Sequence, residues 1–267
     1  MIPALTGTRL DPILSSVAER AAARRAADPL AALRARVSPE PARRARFAEA
    51  LLAPGLSVIA ECKRRSPSVG QLSEEVDLAA RADAYAAGGA AALSILTEQD
   101  HFAGAPADLD AVSGAGLPRL RKDFVLDEGM VLESVGMGAD AILLLAVCLP
   151  DPLLGELRQC AAEAGLAVLL EVHDEVELER ALPHTPDALG VNARDLKTFH
   201  VDLATVEALL PRVPAGIVRV AESGVDGLDA LRRVQAAGAD AALVGEALMR
   251  STDPARVLEG WREALGG

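Results

Sequence analysis

Aromatic side chains are nearly missing from this chain of 267 residues: one Trp, one Tyr and four Phe make up 2% of it. A core without rings must be filled by Ala, Leu and Val, which suits helices packed closely on parallel strands. Cysteine is scarce too. Cys62, Cys148 and Cys160 are too few and too scattered for a disulfide framework, and no CxxC or Cys/His spacing suggests a metal site. Positive charge is in deficit, with 27 Lys and Arg against 39 Asp and Glu and a net charge of −12. A nucleic-acid groove needs clustered Lys and Arg, so that class of partner is excluded. A small anionic substrate remains compatible if a few basic residues converge locally. Long apolar runs are lacking as well: no stretch reaches the length of a membrane span, and no basic segment followed by an apolar run opens the chain. The expectation is a cytoplasmic protein without membrane partners, acting as a monomer or weak homo-oligomer.

What is present is periodic. Short apolar or β-branched runs recur from Val58 onward: SVIAE (57–61), AALSIL (91–96), RLRKDF (119–124), AILLLAV (141–147), AVLLEV (167–172), ALGVN (188–192), IVRVAE (217–222) and AALVG (241–245). Each gap holds an Ala- and charge-rich stretch able to form a crossover helix. Eight such units predict an α/β chain closed into a single-domain (β/α)₈ TIM barrel over residues 57–267. Before it, residues 1–56 form a helical N-terminal extension, broken by Pro29, Pro39, Pro41 and Pro54, that caps the barrel. Its arginines fit the solvated face of an amphipathic helix. Gly-Ala-Asp recurs before the fourth run (Gly138 to Asp140) and the last (Gly238 to Asp240), a structural αβ turn signature.

In such a barrel, catalytic groups stand at the C-terminal ends of the strands. The first run continues Glu61-Cys62-Lys63, and alternation sends Glu61 and Lys63 into the mouth and Cys62 outward. The third run ends Lys122-Asp123-Phe124, the fifth carries Glu171, the sixth ends Asn192-Ala193-Arg194, and the seventh ends Glu222-Ser223-Gly224. Three Glu and two Lys at matching depth are costly to bury unless each meets a partner or a substrate. An interlocked acid/base set follows, with its ionisation moved toward working pH. The ends of the seventh and eighth strands are the recurrent phosphate site of this architecture, here Ser223, Gly224 and Gly245. Ser66 after the first strand adds a hydroxyl donor.

These segments, ECKRRSPS (61–68), LSILTE (93–98), KDF (122–124), the Glu171 strand, GVNARDL (190–196), AESG (221–224) and VGEALM (244–249), together resemble indole-3-glycerol-phosphate synthase. ECKRRSPS and GVNARDL are the most distinctive of them. The resemblance implies conversion of 1-(2-carboxyphenylamino)-1-deoxy-D-ribulose 5-phosphate to indole-3-glycerol phosphate with loss of carbon dioxide and water, without a cofactor. It implies Lys122 as general acid, Lys63 on the substrate carboxylate, and Glu171 as stabiliser of the cationic intermediate or proton acceptor. Glu61 and Glu222 would orient the lysines and hydroxyls, Asn192 and Arg194 would shape the anthranilate side, and Phe102 and Phe124 would flank the ring. Relatives often carry Lys where this chain has Val69, and the only Trp, Trp261, falls in the last helix rather than in the extension.

Two other phosphate-binding barrels are disfavoured by the same residues. A phosphoribosylanthranilate isomerase needs a Cys and Asp pair at strand ends, and Cys62 has outward parity. A tryptophan synthase α subunit needs two carboxylates without the lysines. A catalytically dead barrel would be expected to have lost some of the convergent charges, and none is missing.

Overall fold

The computed structural model describes residues 6–8, 10–66, 70–71, 77–196 and 198–266, with residues 66, 70 and 71 described by their backbone alone. Eight apolar runs become eight strands: β1 (Ser57–Cys62), β2 (Ala92–Leu96), β3 (Arg119–Lys122), β4 (Ala141–Leu145), β5 (Ala167–Val172), β6 (Ala188–Asn192), β7 (Val218–Glu222) and β8 (Ala241–Val244). All pair in parallel, and β1 bonds both β2 and β8, which closes the barrel. Strands buried on both faces read as unbroken apolar text, and β1, β4 and β5 are buried along their whole length. Three strands stop short of that text, β8 by one residue at Val244. β4 gives way at Leu145 to a 3₁₀ turn over Ala146–Cys148. β3 ends at Lys122, and the Asp123 carboxylate then accepts the Phe124 N–H at 2.9 Å.

The helices after the strands form the outer ring: α4 (Leu78–Ala87), α5 (Asp108–Ala111), α6 (Glu128–Gly136), α7 (Asp151–Glu163), α8 (Glu175–Ala181), α9 (Leu203–Leu209), α10 (Leu228–Ala236), α11 (Glu246–Arg250) and α12 (Pro254–Ala264). Aspartates start five of them. Asp77, Asp127, Asp174, Asp202 and Asp253 each accept a backbone N–H in the first turn of the helix that follows, a cap worth about 1 kcal/mol. The Gly-Ala-Asp turns prove structural. Asp140 accepts the Arg119 N–H and Asp240 the Arg219 N–H, each at 2.8 Å, so each turn aspartate bonds the start of the neighbouring strand. Asp187 does the same for Val168 at 3.0 Å.

The extension forms α1 (Asp11–Ala27), α2 (Leu30–Arg36) and α3 (Pro41–Leu51). In α3, Phe47 and Leu51 are fully buried, while Arg44 reaches Asp187 at 2.6 Å and Arg46 reaches Asp140 at 2.5 Å. Both aspartates precede strands, so α3 lies under the N-terminal end of the barrel. At the opposite rim, Arg20 of α1 bonds Glu98 just beyond β2 at 2.7 Å. The arginines of α1 are therefore not a solvated face, as the sequence suggests: Arg24 and Arg25 also pair, with Glu133 on α6. Helical periodicity locates a polar face but not the carboxylates opposite it. Among the described residues, no helix is long and apolar enough to cross a membrane.

Candidate active site

Parallel strands bring their C-terminal ends to one rim, and Glu61, Lys63, Lys122, Glu171, Asn192 and Glu222 all line a single cleft there, about 990 Å³ in volume. At its centre, Lys122 Nζ lies 3.3 Å from Glu171 Oε2 and 3.3 Å from Glu222 Oε2. Burial alone would lower the ammonium's pKa, but the Glu171, Glu222 and Glu61 charges outweigh it and hold Lys122 above the ordinary lysine range. The two carboxylates diverge. Burial would raise Glu171, yet Lys122, His173 and Asn192 overcome it and keep Glu171 ionised, below the usual carboxylate range. Burial together with the neighbouring Glu171 charge pushes Glu222 up to about 8. One hydrogen bond and one ion-pair contact explain the asymmetry. Glu171 Oε1 accepts from Asn192 Nδ2 at 2.8 Å and stands 3.0 Å from His173 Nε2, whereas Glu222 Oε1 has no hydrogen-bond partner among the described residues.

On the other side of the mouth, Lys63 and Glu61 form a close ion pair. Gly245, at the end of β8, faces them: a Cβ added there would run into Glu61 Oε1 and Lys63 Nζ. Its small size therefore makes room for this pair. Cys62 points the other way, as alternation requires. It is buried in the apolar layer, and desolvation, with Glu61 nearby, pushes its thiol up to about 12. The same parity operates in β3, where Lys122 enters the cleft. Arg121 instead lies buried behind it, bonding Asp123 at 2.8 Å and the Met130 carbonyl at 3.0 Å.

The aromatic walls are Phe102 and Phe124, with centroids 6.4 Å apart and planes tilted by 41°. Leu10 and Ile13, from the start of α1, complete that side of the cleft. Arg194 also lines it, and its backbone N–H donates to Asn192 Oδ1 at 3.0 Å, which fixes the amide so that its NH₂ points at Glu171. Beyond β7 the chain turns through two consecutive positive φ values, Ser223 at 63° and Gly224 at 70°. That bend lies in the cleft wall close to Gly245 and the first turn of α11. The Ser66 side chain, and Pro67, Ser68 and Val69 altogether, lie outside the described residues.

One polar residue of the rim escapes a reading of strand ends: His173, just past β5. Its signal was parity, since it stands two residues after Glu171 and so shares its face. Glu98, Asp100 and His101 also gather possible metal donors, but Arg20 pairs with both Glu98 and Asp100, and three backbone N–H groups bond Glu98. Both carboxylates of that cluster are thus already engaged by protein groups.

Known proteins agree with this geometry at two levels. Among solved structures, a thiamine phosphate pyrophosphorylase from Pyrococcus furiosus superposes with a TM-score of 0.59 at 17% identity, covering 83% of this chain and 97% of that one. An orotidine 5′-phosphate decarboxylase from Pyrococcus horikoshii gives 0.59 at 12% identity, covering 79% and 99%. Identities this low speak for the fold alone. Sequence relatives go further. A protein named indole-3-glycerol phosphate synthase from Parafrankia sp. (strain EAN1pec) is 48% identical over 246 residues, 92% of this chain and 91% of that one. One of the same name from Chromobacterium violaceum is 45% identical over 254 residues, 93% and 96% of the two chains. The family model described as indole-3-glycerol phosphate synthase matches residues 10–260, and with the cleft, the strand-end charges and the close relatives in agreement, the chain belongs to that family.

Proposed function

We propose that the protein converts 1-(2-carboxyphenylamino)-1-deoxy-D-ribulose 5-phosphate to indole-3-glycerol phosphate, carbon dioxide and water, the ring-closing step of tryptophan biosynthesis. The observation that carries this reading is Lys122 held between Glu171 and Glu222 at the C-terminal rim of a barrel of this family. A buried ammonium beside two carboxylates remains protonated, so it can donate to the carbonyl oxygen as the ring carbon attacks. Glu171, kept anionic, faces the cation that forms after ring closure, and its charge lowers the energy of that species. Glu222, pushed up to about 8, is the carboxylate of the pair that takes up a proton first.

Lys63, paired with Glu61, binds the substrate carboxylate until carbon dioxide leaves. Phe102 and Phe124 flank the anthranilate ring, with Asn192 and Arg194 shaping the anthranilate and hydroxyl side. Ser223, Gly224 and Gly245 receive the phosphate at the ends of β7 and β8, supported by the positive-φ bend after β7. The extension, residues 1–56, belongs to the working enzyme rather than to a separate module. Its side chains join the same apolar core as the barrel, residues 57–267, and Leu10 and Ile13 line the cleft.

The test is direct. Purified protein given the carboxyphenylamino substrate, with no added metal or cofactor, should develop indole fluorescence and release carbon dioxide in equal amounts. Absence of both from folded protein would overturn the assignment.

A further inference from the structure

His173 lies in the cleft wall's second layer, just past β5, and has no role in the chemistry proposed above. Its ring is held between two carboxylates: Nδ1 hydrogen-bonds Glu177 Oε2 on α8 at 3.0 Å, and Nε2 stands 3.0 Å from Glu171 Oε1 as an ion-pair contact without hydrogen-bond geometry. The clamp is fixed at its far end as well. Glu177 Oε2 accepts the His173 N–H at 2.9 Å, and Glu177 stands in the first turn of a helix capped by Asp174. Only 9% of the His173 side chain is exposed, so solvent does not relax this arrangement.

The clamp bears on a near-symmetry. Glu171 and Glu222 each place Oε2 at 3.3 Å from Lys122 Nζ, and both are buried. Nothing in those two distances says which carboxylate should be ionised. The difference lies in the second oxygen. That of Glu171 meets Asn192 and His173, while that of Glu222 meets no donor among the described residues. Asn192 is neutral. His173, flanked by two carboxylates, carries a full charge.

We propose that His173 is a positioning residue that breaks this symmetry, reserving the ionised form for Glu171 and leaving the pair's proton on Glu222. The inference rests on the reading of Glu171 as part of the catalytic machinery. The charged groups facing His173 are Glu171, two residues before it, and Glu177 from α8; the Cys148 thiol in the turn after β4 feels the same two carboxylates, raised by burial first and then by Glu171, Glu177 and Asp11. Beyond Glu171 stand Lys122, Asn192, Glu222 and Glu61. Burial opposes charging the ring, but Glu171 and Glu177 outweigh it and push His173 up to about 10, consistent with an imidazolium throughout the neutral range.

The experiment combines a spectroscopic readout with kinetics. The chain has four histidines, so ¹⁵N-histidine labelling, with His173→Asn to assign the resonance, reports one ring at a time. In the parent protein that ring should remain doubly protonated through pH 8 and should titrate lower by about one unit or more in Glu171→Gln and in Glu177→Gln. In His173→Asn, kcat should fall about tenfold with KM nearly unchanged, and the loss should be deeper on the acid side as Glu171 begins to take up the proton. Glu177→Gln, which keeps a hydrogen-bonding partner for the ring, should shift the profile the same way by less. A neutral His173 ring at pH 7, or a uniform loss at every pH in both variants, would overturn the proposal. Turnover retained in Glu171→Gln would instead remove the reading on which it rests.

Discussion

Asn192 donates its side-chain N–H to Glu171 at 2.8 Å, on the oxygen that Lys122 does not touch. The contact spans adjacent strands, β6 and β5, so the parallel register itself sets it: Glu171 pairs with Gly190, which brings Asn192, two residues on and on the same face, to the rim beside it. Hydrogen bonds to a charged group contribute about 1.5–3 kcal/mol. Asn192→Ala should therefore lower kcat by about tenfold to about a hundredfold, measured by product fluorescence at saturating substrate. A kcat equal to that of the parent would show that Glu171 does not depend on this amide.

Gly245 tests the opposite mouth. Its φ is −118°, a conformation any residue adopts, so alanine there brings no backbone strain. The added methyl instead displaces Glu61 and Lys63. Gly245→Ala should keep its melting temperature within a few degrees yet lose about tenfold or more in kcat/KM. Combined with Lys63→Met it should lose little more than Lys63→Met alone, because both changes act on the same pair. Additive losses would place the effect of Gly245 elsewhere.

Stability should fall as pH rises through the neutral range. His173, raised from 6.5 to about 10, contributes stability that is complete below 6.5 and is lost as pH climbs toward 10. Glu222, raised from 4.5 to about 8, holds a proton in the folded state that the unfolded chain releases, so it too costs stability as pH rises between those values. The two slopes share a sign between 6.5 and 8. Melting temperature should drop most steeply there, and His173→Asn should flatten the slope. A melting temperature rising across that window would contradict both assignments.

Cys62 sits between two residues of the cleft and should matter to neither chemistry nor labelling. Cys62→Val exchanges groups of similar size in a packed layer, at a cost below about 1.5 kcal/mol, and should keep turnover within about tenfold of the parent. Among the thiols, Cys62 and Cys148 are buried and Cys160 is half-buried, so mass spectrometry after brief alkylation should find Cys160 modified first. Early loss of Cys62, or inactivity of folded Cys62→Val, would mean that β1 is placed in the wrong register.

Strand parity made much of the site readable from sequence. Alternation around Cys62 put Glu61 and Lys63 in the cleft, and the same rule placed Lys122, Glu171, Asn192 and Glu222 on one rim. What it missed was relational. His173 lies on the right face but outside the apolar run, so an account built on strand ends passes over it. The partners of Arg20, Arg24 and Arg25 sit at sequence distances that no helical period encodes. Gly245 was legible as a small residue at the rim but not as the space that Glu61 and Lys63 fill, because that depends on two strands meeting across the barrel closure.

The central claim is that Lys122, held between Glu171 and Glu222, delivers the proton that lets the ring close. Lys122→Met keeps the length of the side chain and removes the donor. With general acid catalysis contributing about 10²- to 10⁴-fold, single-turnover formation of indole fluorescence should slow by at least about a hundredfold while the circular dichroism spectrum stays that of the parent. Near-parental turnover in a natively folded Lys122→Met protein would contradict the account and take Lys122 out of the reaction.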